Sequence, residues 1–285
     1  MIIAIKPNLT RENAYHVAES VICELKKLNA DIIVSDEFQE RMTDFDVCFL
    51  PDSEIYDKCD IMIAIGGDGT IIHSAYRCAK RGKLILGINA GRLAFMAGLE
   101  EHELSLLKNL IEGNYEVDSR MMLRADLYNG NNLVDSKYCI NDVVIARGTA
   151  LKMCDMSVLC NGRSVIDYYA DGIIVSTPTG STAYALSAGG PVIDPTIESI
   201  SITPICTHSL FSRSMIFKPD SVIEIRVRNP HIGEPLLSCD GCEAIGLSED
   251  NRIVISKAEF PAKFIRIKSD SFIDVLSQKL AQRRA

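Results

Sequence analysis

The chain has 285 residues, 47% hydrophobic and 24% charged, with a net charge of −8 from 30 Lys plus Arg against 38 Asp plus Glu. That length favours two domains over one, and the composition is that of a folded protein, not a disordered one. The acidic balance and the lack of a basic stripe interleaved with aromatics argue against nucleic-acid binding, and no apolar run reaches the ~18 residues of a membrane helix. Any anionic ligand must therefore be held by backbone amides and a few local cations.

The opening "MIIAIKPN" reaches Lys6 and Pro7 too soon for a signal peptide. The ten cysteines are scattered, several of them inside apolar segments, and are read as reduced thiols of a cytoplasmic protein. "IIAI" and "DIIV" predict short strands. Between them Ala14, Val17, Ala18, Val21, Ile22, Leu25 and Leu28 recur at three and four, which is one face of a helix. Further strands are predicted at Val47 to Leu50, Ile61 to Ile65 and Leu84 to Ile88, with a helix over Ile71 to Lys80. Alternation of this kind implies parallel strands with crossover helices, so the first domain, 1–100, is expected to be a Rossmann-like doubly wound α/β unit.

Past the helix of "HELSLLKNLIEG" short strands dominate. Turn signals at Asn129-Gly130, Asn161-Gly162 and Asp240-Gly241 predict a mostly antiparallel β-sandwich over 101–262, with one helix around Thr179 to Ser187. After Ala262 a strand, "FIRIK", and a helix, Phe272 to Leu280, are expected to return to the first domain, so that 263–285 belongs with 1–100. The terminal "QKLAQRRA" is read as a solvated helix end. Cys239-Asp-Gly-Cys242 is a single CxxC without a second pair, which reads as a hairpin turn more readily than as a zinc site.

Four stretches carry chemistry. "IMIAIGGDGTIIHSAYR" sets Gly66, Gly67, Asp68, Gly69 and Thr70 between a strand and a helix, where open α/β sheets bind ligands. Glycines let the backbone approach a phosphate and the helix start offers free amides. The stretch matches neither GxGxxG nor GxxxxGK[ST], and Asp68 as a simple helix N-cap stays open as the alternative. "GINAGRLAFMAG" repeats the pattern after the next strand. In "CINDVVIARG" the polar pair Asn141-Asp142 interrupts a predicted strand, either as a ligand contact or as part of a buried network. In "DGIIVSTPTGSTAYALSAGGP" Thr177, Thr179, Ser181, Thr182, Tyr184 and Ser187 offer six hydroxyls where capping needs one, which favours ribose, phosphate or adenine binding.

Taken together, GGDGT at Gly66 to Thr70, N-x-G-x-L at Asn89 to Leu93, the Asn141-Asp142 pair and the long segment from Asp171 to Pro191 resemble the NAD kinase family, as do "HSLFSRSMIF" and "SCDGC" further on. The resemblance covers nearly the whole chain. It implies transfer of the γ-phosphoryl of ATP, or of a phosphoryl from polyphosphate, to the 2′-hydroxyl of the adenosine ribose of NAD, with Mg²⁺ or another divalent cation arriving on ATP and no dedicated metal ligands. It implies Asp68 as the catalytic base, with Gly66, Gly67, Gly69, Thr70, Asn89 and Gly91 forming the phosphate loops. His73 is implied near the diphosphate of NAD, with Phe95 also in contact. Asn141 and Asp142 are implied at ribose and base, Thr182, Ala183, Tyr184, Ala185, Leu186 and Ser187 at the adenosine, and Asp171 at the nicotinamide end. Tyr169 and Cys242 are further implied NAD contacts, as is Lys152, taken to lie on the strand after the pair.

The family assembles as homodimers or homotetramers with pocket residues shared between subunits, which is the expectation here. The sequence departs from the family's pattern at Ala94 for glycine, Met96 for leucine, Asp142 for glutamate and Cys242 for glutamine. The first adds a methyl to a nucleotide loop, the third shortens a ribose contact, and the last loses an amide. A nucleotide-binding protein without phosphoryl transfer and a lipid kinase using the same GGDGT loop are the competing readings. The retained Asp68 argues against the first, and the hydroxyl cluster goes unexplained by the second.

Overall fold

A computed structural model describes residues 1–10, 12–91, 94–149, 152–209, 212–230, 234–269 and 272–282, without the side chains of Glu12 and of residues 278–282. Leu93 of the N-x-G-x-L motif, Leu210 and Phe211 of "HSLFSRSMIF", and the three terminal residues lie outside the described residues. The chain divides into two compact units: Met1–Ser119 with Ala262–Ala285, and Arg120–Pro261.

The first unit is an α/β layer structure. Its strands are β1 (Ile2–Pro7), β2 (Asp31–Ser35), β3 (Cys48–Leu50), β4 (Ile61–Gly66), β5 (Leu84–Asn89), β6 (Leu99–Glu100) and β7 (Glu116–Arg120), with β20 (Ala262–Arg266) returning from the far end of the chain. Among the described residues they form one sheet in the order β3-β2-β1-β4-β5-β20-β7, with β6 beside β5. Pairings among β1 to β5 are parallel, and β20 lies parallel to β5. Every position of β4 is buried, so both faces of the sheet are covered. Helix α1 (Glu12–Lys27) crosses over between β1 and β2, and Ala14, Val17, Ala18, Val21, Ile22 and Leu25 are all fully buried. Each of its Val, Ile and Leu side chains contributes about 1.5–3 kcal/mol by leaving water. Helices α2 (Asp52–Lys58), α3 (Asp68–Ala79) and α4 (Leu107–Glu112) complete the layers.

The second unit is a sandwich of two antiparallel six-stranded sheets among the described residues. One runs β15 (Met215–Phe217), β14 (Ile200–Ile205), β13 (Gly172–Ser176), β10 (Asp142–Ala146), β17 (Leu236–Cys239), β18 (Ile245–Gly246). The other runs β12 (Arg163–Ala170), β11 (Cys154–Cys160), β16 (Ile223–Arg228), β19 (Asn251–Lys257), β8 (Leu123–Asn129), β9 (Asn132–Cys139). Alternate residues of both sheets, among them Leu127, Met156, Ile225, Val143, Ile173 and Ile202, meet in one buried core. The Asn161-Gly162 turn closes β11 onto β12 with both residues at positive φ, 51° and 76°. The hydroxyl-rich stretch forms a short 3₁₀ turn, Thr179–Thr182, and α5 (Tyr184–Ser187). Helix α6 (Phe272–Gln282) follows β20. No described helix is long and apolar enough to cross a membrane.

Candidate active site

In the first unit the strand order reverses between β1 and β4, and the ends of those strands border a cleft of about 800 Å³. Ligands of open α/β sheets bind at such switch points. Lys6, Asn8, Arg41, Asp68, Gly69 and His73 are among its lining residues. Gly67 stands at the N-cap of α3, so Asp68 is not the cap, and the capping alternative falls. Its carboxylate accepts instead from the amides of Phe95 (3.0 Å) and Met96 (2.8 Å), which ties the second glycine loop to the first. Thr70 Oγ1 accepts from Asn8 Nδ2 at 3.1 Å, anchoring GGDGT to the end of β1. A Cβ added at Gly66 would stand 2.7 Å from that Oγ1, whereas one at Gly69 would meet nothing. Gly66 is thus required by packing and Gly69 leaves the cleft open.

Asn89 shapes the neighbouring loop: its side chain donates to Glu100 (2.8 Å) and accepts from the Gly91 amide (2.9 Å). Ala94 is buried, so the methyl that replaces glycine packs inward. The Lys6 ammonium is held by Glu37 and by Asp52 at 2.8 Å. Arg41 donates to the Leu9 carbonyl at 3.0 Å. Partial burial, with the charges of Arg77 and Lys6, holds His73 below its ordinary pKa. At neutral pH it is an uncharged imidazole.

In the second unit β10 is antiparallel to both β13 and β17, so its first residue lies beside their last ones: Asp142 pairs with Ser176 and Val143 with Cys239. This register gathers Asn141-Asp142, the Thr177–Thr182 stretch and Asp240-Gly241-Cys242 at one end of one sheet. Asn141 precedes the strand, a correction to its predicted place within one, whereas Asp142 opens the strand. The cause lies in bonds from distant segments: the Asn141 amide is taken by Asp240 Oδ1 (2.8 Å) and its carbonyl by the Thr177 amide (2.9 Å). Asp142 is 5% exposed, and burial with the adjacent negative charge of Asp240 pushes its carboxyl up to about 7.

The hydroxyls divide between two duties. Thr177 Oγ1 donates to the Ile140 carbonyl (2.5 Å) and accepts from Gly180, while Ser181 Oγ donates to Pro178 and accepts from Ile193. Thr182 Oγ1 donates to the Thr179 carbonyl at 3.1 Å. These hold the turn together, so fewer hydroxyls are left for a ligand than their number implies. Tyr184 and Ser187 are exposed, Thr182, Ala183 and Leu186 are half-buried, and Ala185 is buried. Cys242 is exposed while Cys239 belongs to the sandwich core, so the CxxC does not present two thiols together.

Asp171, Tyr169 and Lys152 lie elsewhere. β10 and β13 also pair Ala146 with Gly172, so Asp171, one residue further, stands at the opposite end of that sheet, ~17 Å along the strands from Asp142. Its carboxylate accepts from Arg147 Nε at 2.9 Å. Tyr169, exposed on β12, meets the ring of His208 edge-on at 6.4 Å. Lys152 is exposed in the loop before β11 and not on a strand, because pairing of β10 with β13 ends at Ala146. Sequence reasoning missed Arg147 and Lys6, and it saw Asp240 as a turn residue and part of the SCDGC motif, without a contact of its own. An arginine one register step from Asp171 becomes visible only once the strands are paired.

A glycine loop that opens a helix at the switch point, with one carboxylate fixed on it, defines a protein built to handle nucleotide phosphates. The ATP-NAD kinase N-terminal domain matches residues 1–115 and the ATP-NAD kinase C-terminal domain residues 140–267. The chain is 36% identical to the NAD kinase of Thermoanaerobacter sp. (strain X514) over 99% of both chains. It is 40% identical to the NAD kinase of Desulforamulus reducens over 80% of both. A crystal structure of yeast NADH kinase complexed with NADH shares the fold, with a TM-score of 0.89 at 23% identity, covering 99% of this chain and 87% of that one. The chain belongs to the NAD kinase family, whose members are phosphotransferases.

Proposed function

We propose that the chain phosphorylates NAD at the 2′-hydroxyl of its adenosine ribose, with ATP as donor, and that Asp68 is the general base. The observation that carries this reading is the Asp68 carboxylate on an open cleft, its two oxygens oriented by the Phe95 and Met96 amides. Phosphoryl transfer passes through a loose transition state that asks mainly for alignment and charge neutralisation. A fixed carboxylate that orients a sugar hydroxyl meets that demand. The hydroxyl proton passes to Asp68 as its oxygen bonds the γ-phosphorus, and the bond to the β–γ bridging oxygen breaks, its electron pair leaving with ADP.

In this reading the first unit handles phosphates through Gly66, Gly67, Gly69, Thr70, Asn89 and Gly91, with His73 near the diphosphate of NAD and Phe95 beside it. Asn141 and Asp142 take the adenosine ribose and base, Thr182 to Ser187 the adenosine, and Lys152, Tyr169, Asp171 and Cys242 further parts of NAD. A divalent cation such as Mg²⁺, carried in with ATP, would neutralise negative charge on the phosphates. Asp68, Glu37, Asn8 and Thr70 are among the oxygen-bearing residues that line the cleft, and no group of three or more His, Cys, Asp or Glu placed to hold a metal occurs among the described residues. Ten free thiols suit a reducing, cytoplasmic setting.

The test is NADP formation from NAD, ATP and Mg²⁺ by wild type and Asp68→Asn. Loss of a general base lowers kcat by about 10²–10⁴-fold. An Asn variant within tenfold of wild type would remove Asp68 from that role.

A further inference from the structure

Asp240 sits in the turn after β17 with φ at +49°, followed by Gly241 at +69°. Aspartate is one of the few residues that adopt this left-handed conformation without large strain. The conformation turns its carboxylate onto three successive amides: Oδ2 accepts from Ile140 (2.7 Å), and Oδ1 from Asn141 (2.8 Å) and Asp142 (3.0 Å). The Asp240 amide in turn donates to the Asp142 carbonyl at 3.0 Å, which closes a ring between the two segments. Consecutive amides converging on one anion form a nest, and hydrogen bonds to an ionised acceptor are the strong kind. From the other side Thr177 holds the Ile140 and Asn141 carbonyls. The segment Ile140–Asp142 is thus clamped by its three amides and the Asp142 carbonyl on Asp240, and by the Ile140 and Asn141 carbonyls on Thr177. Burial pushes the Asp240 carboxyl upward while the three amides pull it back, so these bonds offset part of the cost of keeping a carboxylate inside.

We propose that Asp240 is the positioning residue of the acceptor site: its carboxylate sets the backbone from which Asn141 and Asp142 reach NAD, and so sets NAD affinity without touching NAD. The proposal rests on the reading of Asn141 and Asp142 as NAD contacts. Glycine or asparagine would tolerate the backbone angle at this turn, but neither supplies two anionic oxygens.

Steady-state kinetics of Asp240→Ala, Asp240→Asn, Asn141→Ala and Asp142→Ala, each with its melting temperature, test it. Asp240→Ala is expected to raise KM for NAD at least tenfold, with KM for ATP and kcat at saturating NAD within twofold of wild type. Asp240→Asn keeps one carbonyl acceptor for two of the amides and is expected to fall between wild type and Ala. If both Asp240 variants melt within a few degrees of wild type and leave KM for NAD within twofold, the proposal is overturned. A fall in kcat, or equal rises in both KM values, overturns it as well, since that is general damage. Should Asp240→Ala fail to fold, the Asn variant alone decides by the same limits. If Asn141→Ala and Asp142→Ala leave KM for NAD unchanged, the underlying reading fails. If they raise it and the Asp240 variants do not, only the positioning role fails.

Discussion

Burial, reinforced by the negative charge of Asp240, pushes the Asp142 carboxyl up to about 7. In the unfolded chain the same group titrates near ~3.9. Between those values the native state keeps a proton that the unfolded chain has released, so stability is full below the lower value, falls through the window and is lost above the upper one. Asp240 is shifted in the same direction and adds to the slope. Asp142→Asn removes the main titration: from about pH 5 to about pH 8 the wild-type melting temperature should fall relative to the variant's. Parallel curves would refute a buried, neutral carboxyl.

At the scale of elements, the turn from Thr177 to Thr182 leans directly on the chain before β10. A Cβ added at Gly180 would stand 2.0 Å from the Asn141 carbonyl oxygen, which already accepts the Thr177 amide. Backbone cannot yield there as a side-chain tip would, so Gly180→Ala should displace Asn141. We expect a loss of roughly 1–3 kcal/mol of stability and a rise in KM for NAD. Wild-type melting and kinetics for this variant would show that the contact is relieved at no cost. The elements themselves were legible beforehand. The α1 face from Ala14 to Leu25 followed its three-and-four spacing into full burial, and Ile61 to Ile65 became the fully buried β4. Lys152 and Asn141 were misplaced because strand ends depend on pairing partners that local pattern does not reveal.

For the whole molecule, two of the proposed NAD contacts of the second unit fall at opposite ends of one sheet, Asp142 at one and Asp171 at the other. We propose from that separation that a second copy of the chain completes the pocket. If so, Asp142→Ala and Asp171→Ala subunits, each deficient alone, should regain activity when co-expressed, because one pocket of a mixed dimer carries neither change. Random dimers should recover about a quarter of the wild-type sites. No recovery, in mixed oligomers isolated through a different affinity tag on each variant, would mean that each chain supplies its own pocket.

By itself the sequence determined the two fold classes, the return of the last strand to the first sheet, the GGDGT loop at a strand end and the family. These follow from local periodicity, turn chemistry and contiguous motifs. Only the tertiary structure decided that Asp68 is tied to Phe95 and Met96, that Thr177 and Ser181 bond within their own turn, and that Asp240 grips the amides before β10. Each of the ties of Asp68 and Asp240 joins residues far apart along the chain. Their partners are chosen by strand order and register, which no local stretch of sequence encodes.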